Sequence, residues 1–197
     1  MAYDAYTESV RLIELRQVEA VLRLSRRRRF APMGVDVVGD VAVTMFARRG
    51  VGCSWSDTHV LRRRHGEWRM LGGGSGTAGD DLLADRPAQL PSKPAALPDA
   101  LTGIDPRLMT LQGGGGVRDS QGAVGWLPWS ARWISYVVLR VSAQVASLET
   151  DGRKLVVPWH GRVVIVSMKR RPSLVKVHDA GGHVLGEVRV ARVGIPS

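Results

Sequence analysis

The chain of 197 residues contains no asparagine, a single cysteine and only four lysines among its 28 basic residues. A single cysteine excludes an intrachain disulfide framework, so a reducing cytoplasm is the expected compartment. No run of about eighteen apolar residues is present, which argues against a transmembrane helix. The first residues lack a basic segment followed by an apolar run, so we expect no cleavable secretory signal in this sequence.

The charge balance is strongly basic, with a formal net charge of +10 and an isoelectric point near 10.9. Such a balance is typical of proteins that bind nucleic acid or another anionic surface. Heavy use of arginine, alanine, glycine and valine without asparagine is also what a GC-rich genome produces. We therefore expect a GC-rich bacterial source, with part of the positive charge arising from codon bias.

Short β-strands separated by turn residues dominate both ends of the sequence. The pairs Gly39-Asp40 and His65-Gly66 predict tight turns between strands in the first part, and Asp151-Gly152 predicts another in the last part. A helix is predicted over residues 7–27, with Thr7 or Ser9 as its N-cap. Strands are predicted at 35–38, 41–47, 54–61, 67–71, 136–141, 162–168 and 174–177.

The middle of the chain is rich in glycine and proline. Glycine runs stand at 72–76 and 113–116, and five prolines lie between them. We interpret residues 77–122 as a linker or extended arm, with a short helix at 80–84 and a helical turn at 105–111.

These signals predict a mainly β protein, an antiparallel sandwich-like fold with an N-terminal helix and a long Gly/Pro-rich central crossover. Its parts are a helix plus β-meander over 1–76, the linker or arm over 77–122, and an antiparallel β module over 123–197. Two arrangements stay open. The β parts form either one sandwich, which would bury more surface, or two small modules.

No constellation of residues predicts catalysis. Residues 74–79 match G-x-G-x-x-G after a strand, but the segment that follows is too short for the required helix and is broken by Pro87. The five histidines show no metal-binding spacing and are interpreted as residues of surface turns, and Cys53 as a small apolar residue of a strand. We expect no enzyme activity, no cofactor and no metal.

Three tryptophans within eight residues, Trp126, Trp129 and Trp133, are the first candidate site. Clustered tryptophans anchor protein partners, plug the end of a sandwich or stack on bases. The leading hypothesis is a non-enzymatic interaction or scaffolding protein that binds a protein partner or self-associates into an oligomer.

Three basic clusters, each at the end of a predicted element, support an alternative hypothesis of nucleic-acid binding. If the clusters converge on one face, they would neutralise phosphates and release counterions. If they do not, they act as solvated charges that protect strand and helix ends. The clusters are Arg26, Arg27, Arg28 and Arg29; Arg62, Arg63 and Arg64; and Lys169, Arg170 and Arg171.

Two segments resemble known families. Residues 39–43 together with 57–70 are similar to the closing hairpin of NTF2-like domains, and residues 172–185 are similar to a hairpin of immunoglobulin-like sandwiches. The NTF2-like resemblance implies a cone-shaped α+β fold around an apolar pocket. It gives a third hypothesis, a pocket protein for a small molecule.

Overall fold

A computed structural model describes residues 3–91, 101–119, 132–169 and 171–191. The fold is mainly β, with antiparallel strand pairs and an N-terminal helix, which confirms the predicted fold class. The elements are α1 (Ala5–Leu15), β1 (Phe30–Val38), β2 (Val41–Arg49), β3 (Ser54–Arg64), β4 (Glu67–Ala78), β5 (Leu101–Thr102), β6 (Met109–Asp119), β7 (Arg132–Val141), β8 (Ser147–Thr150), β9 (Arg153–Val156), β10 (Arg162–Ser167), β11 (Ser173–His178) and β12 (Val184–Val190).

The strands form three sheets that stack in layers. A four-stranded sheet has the order β1-β2-β3-β4, a three-stranded sheet the order β10-β7-β6, and a five-stranded sheet the order β5-β12-β11-β8-β9. One apolar core lies between the first two sheets and a second between the last two. A smaller cluster packs α1 on the outer face of the four-stranded sheet. Among the described residues, no helix has the length and apolar character needed to cross a membrane.

The three-stranded sheet is the middle layer, and this position explains the apolar runs of β7 and β10. In β7, Ile134 and Tyr136 face the first core while Val137 and Leu139 face the second. Side chains alternate across a strand, so a strand buried on both faces needs apolar residues at successive positions. The apolar runs that predicted these strands therefore arise because the strands contact a core on each face.

The four-stranded and three-stranded sheets approach each other at both edges. Strand β1 lies beside β10, and β4 lies beside β6, so the two sheets enclose the first core as a flattened sandwich. At the β1–β10 edge, a carboxylate oxygen of Asp36 accepts the main-chain N–H of Val166 at 2.8 Å. Residues from both ends of the chain thus share one core.

The first helix is shorter than predicted. It covers Ala5–Leu15 and ends at Arg16, whose φ of 50° is left-handed and whose N–H bonds to the carbonyl of Leu12. The prediction of a helix over residues 7–27 is therefore wrong beyond this point. The side chain of Asp4, rather than Thr7 or Ser9, caps the helix by accepting the N–H of Tyr6 at 3.0 Å.

After α1 the chain turns away from the helix axis and contacts the first core. Residues 17–25 are neither helix nor strand, and Val21 is buried in that core with only 4% of its surface exposed. A helix running to residue 27 would have kept these residues on the outer layer. Val21 is thus buried by the non-helical segment, whereas its neighbour Leu22 is 78% exposed.

Both glycine runs lie in strands, and the second run corrects the interpretation of residues 77–122 as a linker or arm, because residues 109–119 of that segment form β6. Strand β4 continues through the first run to Ala78, and the second run lies within β6, paired with β7. Residues 80–84 form a turn, and residues 105–111 pass from a turn into β6. Only residues 92–100 and 120–122 of the predicted linker lie outside the described residues.

Packing explains why these strands carry glycine. The Tyr136 ring lies between the two runs, and a Cβ atom would come within 2.8 Å of its hydroxyl at Gly74 and within 2.9 Å at Gly115. At Gly72, a Cβ would come within 3.2 Å of the Val117 side chain across the β4–β6 edge. The glycines let the two edges and the tyrosine approach closely.

A pair of substitutions in β4 tests this explanation. In Gly73→Ala, the added methyl would overlap the carbonyl oxygen of Thr58, so we expect a loss of about 1–3 kcal/mol in the free energy of unfolding. At Gly76 no atom lies within 4 Å of the position that a Cβ would take, so Gly76→Ala is expected to change stability by less than about 0.5 kcal/mol. Urea unfolding of both variants measures the difference, and equal stabilities would contradict the packing argument.

Candidate functional site

A concave surface lined by four arginines and a tryptophan lies where β2 turns into β3. We call it the arginine concavity, and its volume is about 820 Å³. Its lining combines one residue pair predicted from the sequence with residues that sequence reasoning did not select. The lining residues are Arg26, Arg29, Arg48, Arg49, Gly50, Val51, Gly52, Cys53 and Trp55.

Two local structures position the arginines. Ser25 and Arg28 form a tight turn, in which each main-chain N–H is bonded, one to a carbonyl at 2.8 Å and one to the serine hydroxyl at 3.0 Å. The N–H of Arg49 then bonds to the carbonyl of Arg29 at 2.8 Å, which fastens this turn to the end of β2. Arginines distant in sequence therefore share one surface.

Glycine at position 50 makes room for the tryptophan. A Cβ there would lie 2.5 Å from Nε1 of Trp55, and the N–H of Gly50 bonds to the carbonyl of Cys53 at 2.9 Å. Gly52 has a φ of +70°, a conformation that glycine adopts at little cost. The turn thus holds the half-buried indole beside the arginines.

The charges of the concavity are unequally compensated. Arg48 donates to the buried carboxylate of Asp57 at 2.7 Å, and its guanidinium lies 5.7 Å from the centre of the Trp55 ring. The hydrogen bond to Asp57 raises the pKa of Arg48 above its ordinary value. By contrast, Arg26, Arg29 and Arg49 are exposed and have no carboxylate partner among the described residues. Three positive charges therefore face solvent without compensation.

The second predicted cluster is bound up in ion pairs. Arg62 and Arg64 both bond to the carboxylate of Asp119, which is 1% exposed, and Arg62 also bonds to Asp40 at 2.8 Å. Arg63 bonds through Nε to the carbonyl of Gly66 at 3.2 Å. These contacts tie the end of β3 to the end of β6, which is a structural role.

The first and second predicted clusters lie near opposite ends of β3 and are not brought together. Trp55 and Arg63 are eight residues apart on β3, a separation of about 26 Å at the usual rise of a strand. In the third cluster, Lys169 bonds to Asp151 at 2.5 Å and Arg171 is exposed, while Arg170 lies outside the described residues. Within the first cluster, Arg28 pairs with Glu19 at 3.2 Å, and Arg27 is exposed.

The tryptophan cluster is described only in part. Trp126 and Trp129 lie outside the described residues, and Trp133 is half-buried in β7, where it pairs with Arg118 of β6. The interaction site predicted at these tryptophans stays a prediction.

The histidines are not all residues of surface turns, as the sequence had indicated. His160 is fully buried, and His59 is half-buried with its Nδ1 3.1 Å from the hydroxyl of Ser9. His178 and His183 do flank a turn, where Asp179 contacts His183 at 3.2 Å. Among the described residues, no group of three or more side chains suited to a metal ion occurs.

Sequence reasoning missed Arg48, Arg49 and Trp55. Their signal was present, because Arg48-Arg49 ends a strand and Trp55 begins the next one across a glycine turn. In a hairpin these positions are cross-strand neighbours, and the register pairs Arg48 with Trp55. What the sequence could not give is the return of residues 25–29 to the same place.

Comparison of the chain with protein-family models, curated proteins and solved structures gives no match.

Proposed function

We propose that this protein binds single-stranded nucleic acid through its phosphate backbone at the arginine concavity. The observation that carries the proposal is the convergence of three uncompensated arginines with a tryptophan on one concave surface. The net charge of +10 favours association with a polyanion over the whole molecule. We further propose a non-catalytic role in the cytoplasm, where the single cysteine stays reduced.

The chemistry of the lining favours phosphodiesters. Guanidinium groups match phosphate oxygens in a planar, two-point geometry, and each phosphate that is neutralised releases condensed counterions. The three exposed arginines supply this contact, while Arg48 is held by Asp57. A small inorganic anion would need fewer charges than this surface offers.

The aromatic side chain favours a single strand over a duplex. Aromatic rings provide sequence-tolerant stacking for unpaired bases, and arginine adds cation–π contacts. Trp55 lines the same concave surface as the three exposed arginines, so one surface offers both a stacking partner for a base and guanidinium groups for the neighbouring phosphates. We therefore expect binding without strong sequence preference.

The test is a titration of a fluorescently labelled 20-nucleotide oligothymidine between 50 and 200 mM NaCl, followed by anisotropy. The triple variant R26A/R29A/R49A is expected to bind roughly tenfold or more weakly, with the slope of log K against log salt reduced in magnitude by about 2. The single variant Trp55→Leu is also expected to bind more weakly than the unaltered protein, but with the same slope, because base stacking releases no counterions.

The matched control removes the same charge elsewhere. R69A/R132A/R189A replaces three exposed strand arginines outside the concavity, and a loss below about threefold is expected. Equal losses in both triple variants would contradict the proposal, because the net charge and not the concavity would then be responsible. A duplex that binds as tightly as the single strand would contradict the choice of a single strand.

A further inference from the structure

A second cleft, separate from the arginine concavity, opens along the β1–β10 edge. It has a volume of about 630 Å³, which is within the range of small-molecule sites. Its walls come from both ends of the chain: Val35 and Val37 from β1, Leu155 and Val156 from β9, and Trp159 from the loop before β10. The walls are thus mostly apolar, and no residue is shared with the arginine concavity.

A buried ion pair forms the polar part of the cleft. Arg153 bonds through one terminal nitrogen to Asp36, and its other terminal nitrogen lies 3.4 Å from the carbonyl of Val166. The Nε of Arg153 is buried and has no acceptor among the described residues. An unpaired buried donor costs about 1–3 kcal/mol, and it leaves this end of the cleft with more donors than acceptors.

The rim of the cleft is positively charged. Arg16 and Lys154 line it, are exposed, and have no carboxylate partner among the described residues. The one carboxylate of the lining, Asp36, is already occupied by Arg153 and by the N–H of Val166. The cleft therefore offers apolar walls and an excess of positive charge.

We infer that this cleft binds an amphipathic organic anion, with its anionic head near Arg153, Arg16 and Lys154 and its apolar body along the valine and tryptophan walls. The exposed charges of Arg16 and Lys154 attract a carboxylate head and select an anion over a neutral or cationic molecule of the same shape. The apolar body removes wall side chains from water; Val156, for example, is 77% exposed.

The experiment is isothermal titration calorimetry of the full chain with decanoate, decanol and decyltrimethylammonium, all below micelle formation. Decanoate is expected to bind with a Kd of roughly 10–100 µM, from the binding energy that ligands of this size reach. Decanol is expected to bind at least tenfold more weakly, and the cation not measurably. Replacing Arg16 and Lys154 together by alanine is expected to weaken the binding of decanoate three- to tenfold and to leave the affinity for decanol unchanged.

A substitution in the apolar wall of the cleft distinguishes binding in the cleft from nonspecific binding elsewhere on the surface. Val156→Asp places a carboxylate on the apolar wall and is expected to abolish decanoate binding. Val184→Asp, at another exposed valine that is 55% exposed on β12, is the control and is expected to bind as the unaltered protein does. Both positions are exposed, so both variants are expected to fold, which circular dichroism checks.

Three results would overturn the inference: no binding of decanoate, equal binding of decanoate and decanol, or equal binding by the two valine variants. Loss of oligonucleotide binding in the concavity variants would leave the result here unchanged, because the two sites share no residue.

Discussion

Asp36→Ala is expected to lower the free energy of unfolding by about 3–5 kcal/mol, the cost of breaking a buried ion pair on one side. The Asp36 side chain is 2% exposed and holds both a guanidinium nitrogen of Arg153 and the N–H of Val166. Alanine leaves these two donors without an acceptor at the edge where β1 meets β10. Urea unfolding followed by circular dichroism and tryptophan fluorescence measures the loss.

Two further variants interpret that loss. Burial raises the pKa of Asp36 above its ordinary value, so the negative charge itself is costly in the folded state. Asp36→Asn keeps an acceptor for Val166 and removes that charge, and it is expected to cost less than half as much as alanine. Asp40→Ala removes a partly exposed partner of Arg62, and a loss below about 1 kcal/mol is expected.

The same experiment decides between one sandwich and two modules. If the two β parts unfold as one unit, both probes shift together in Asp36→Ala with a single transition. If they are separate modules, the transition splits and the alanine variant loses little stability. A loss below about 1 kcal/mol would contradict the role given to this carboxylate.

Stability is expected to fall by about 3 kcal/mol between pH 6.5 and pH 4 through the titration of His160 alone. Burial, followed by the charge of Arg162, lowers the pKa of His160 to about 4. Between these pH values His160 is protonated in the unfolded chain but stays mostly neutral in the folded chain. Protonation therefore favours unfolding as pH falls, and the contribution is absent above the ordinary pKa of 6.5.

Hydrogen bonds explain why this histidine stays neutral. Its Nδ1 accepts the N–H of Arg162 at 3.0 Å, so the proton sits on Nε2, which donates to the carbonyl of Met33 at 3.0 Å. A second proton on Nδ1 would face the N–H of Arg162 and add a charge to a site that is 0% exposed. The neutral ring fits both partners, and the charged ring fits only one.

The measurement is the difference in unfolding free energy between the unaltered protein and His160→Gln across pH 4–7. Glutamine does not titrate, so the difference is expected to narrow by about 3 kcal/mol as the pH falls. Asp36 also changes stability with pH, because its raised pKa stabilises the folded state as the pH falls through its own titration. This contribution is the same in both proteins, so it cancels in the difference. A difference that is constant with pH would contradict the assignment.

The sequence by itself determined the turns and most strands. The turn pairs Gly39-Asp40, His65-Gly66 and Asp151-Gly152 all lie between paired strands, and Gly39, His65 and Asp151 each have a positive φ. Turn chemistry is local, so neighbouring residues are enough to specify it. The apolar runs of β7 and β10 likewise predict strands, because burial on both faces removes polar positions.

Only the tertiary structure decided what the glycine runs do, where the first helix ends and which arginines act together. A glycine run by itself predicts a linker. Here the glycines belong to strands, where Gly74 and Gly115 make room for the side chain of Tyr136 from another strand. From the sequence, Arg62 and Arg64 look like free charges, but both pair with Asp119, which is 55 or more residues away. Arg29 and Arg49 meet because β1 and β2 stay paired beyond their apolar runs, with Phe30 opposite Arg48 and the N–H of Arg49 bonded to the carbonyl of Arg29. In each case the deciding partner is distant in sequence, so no window of neighbouring residues contains it.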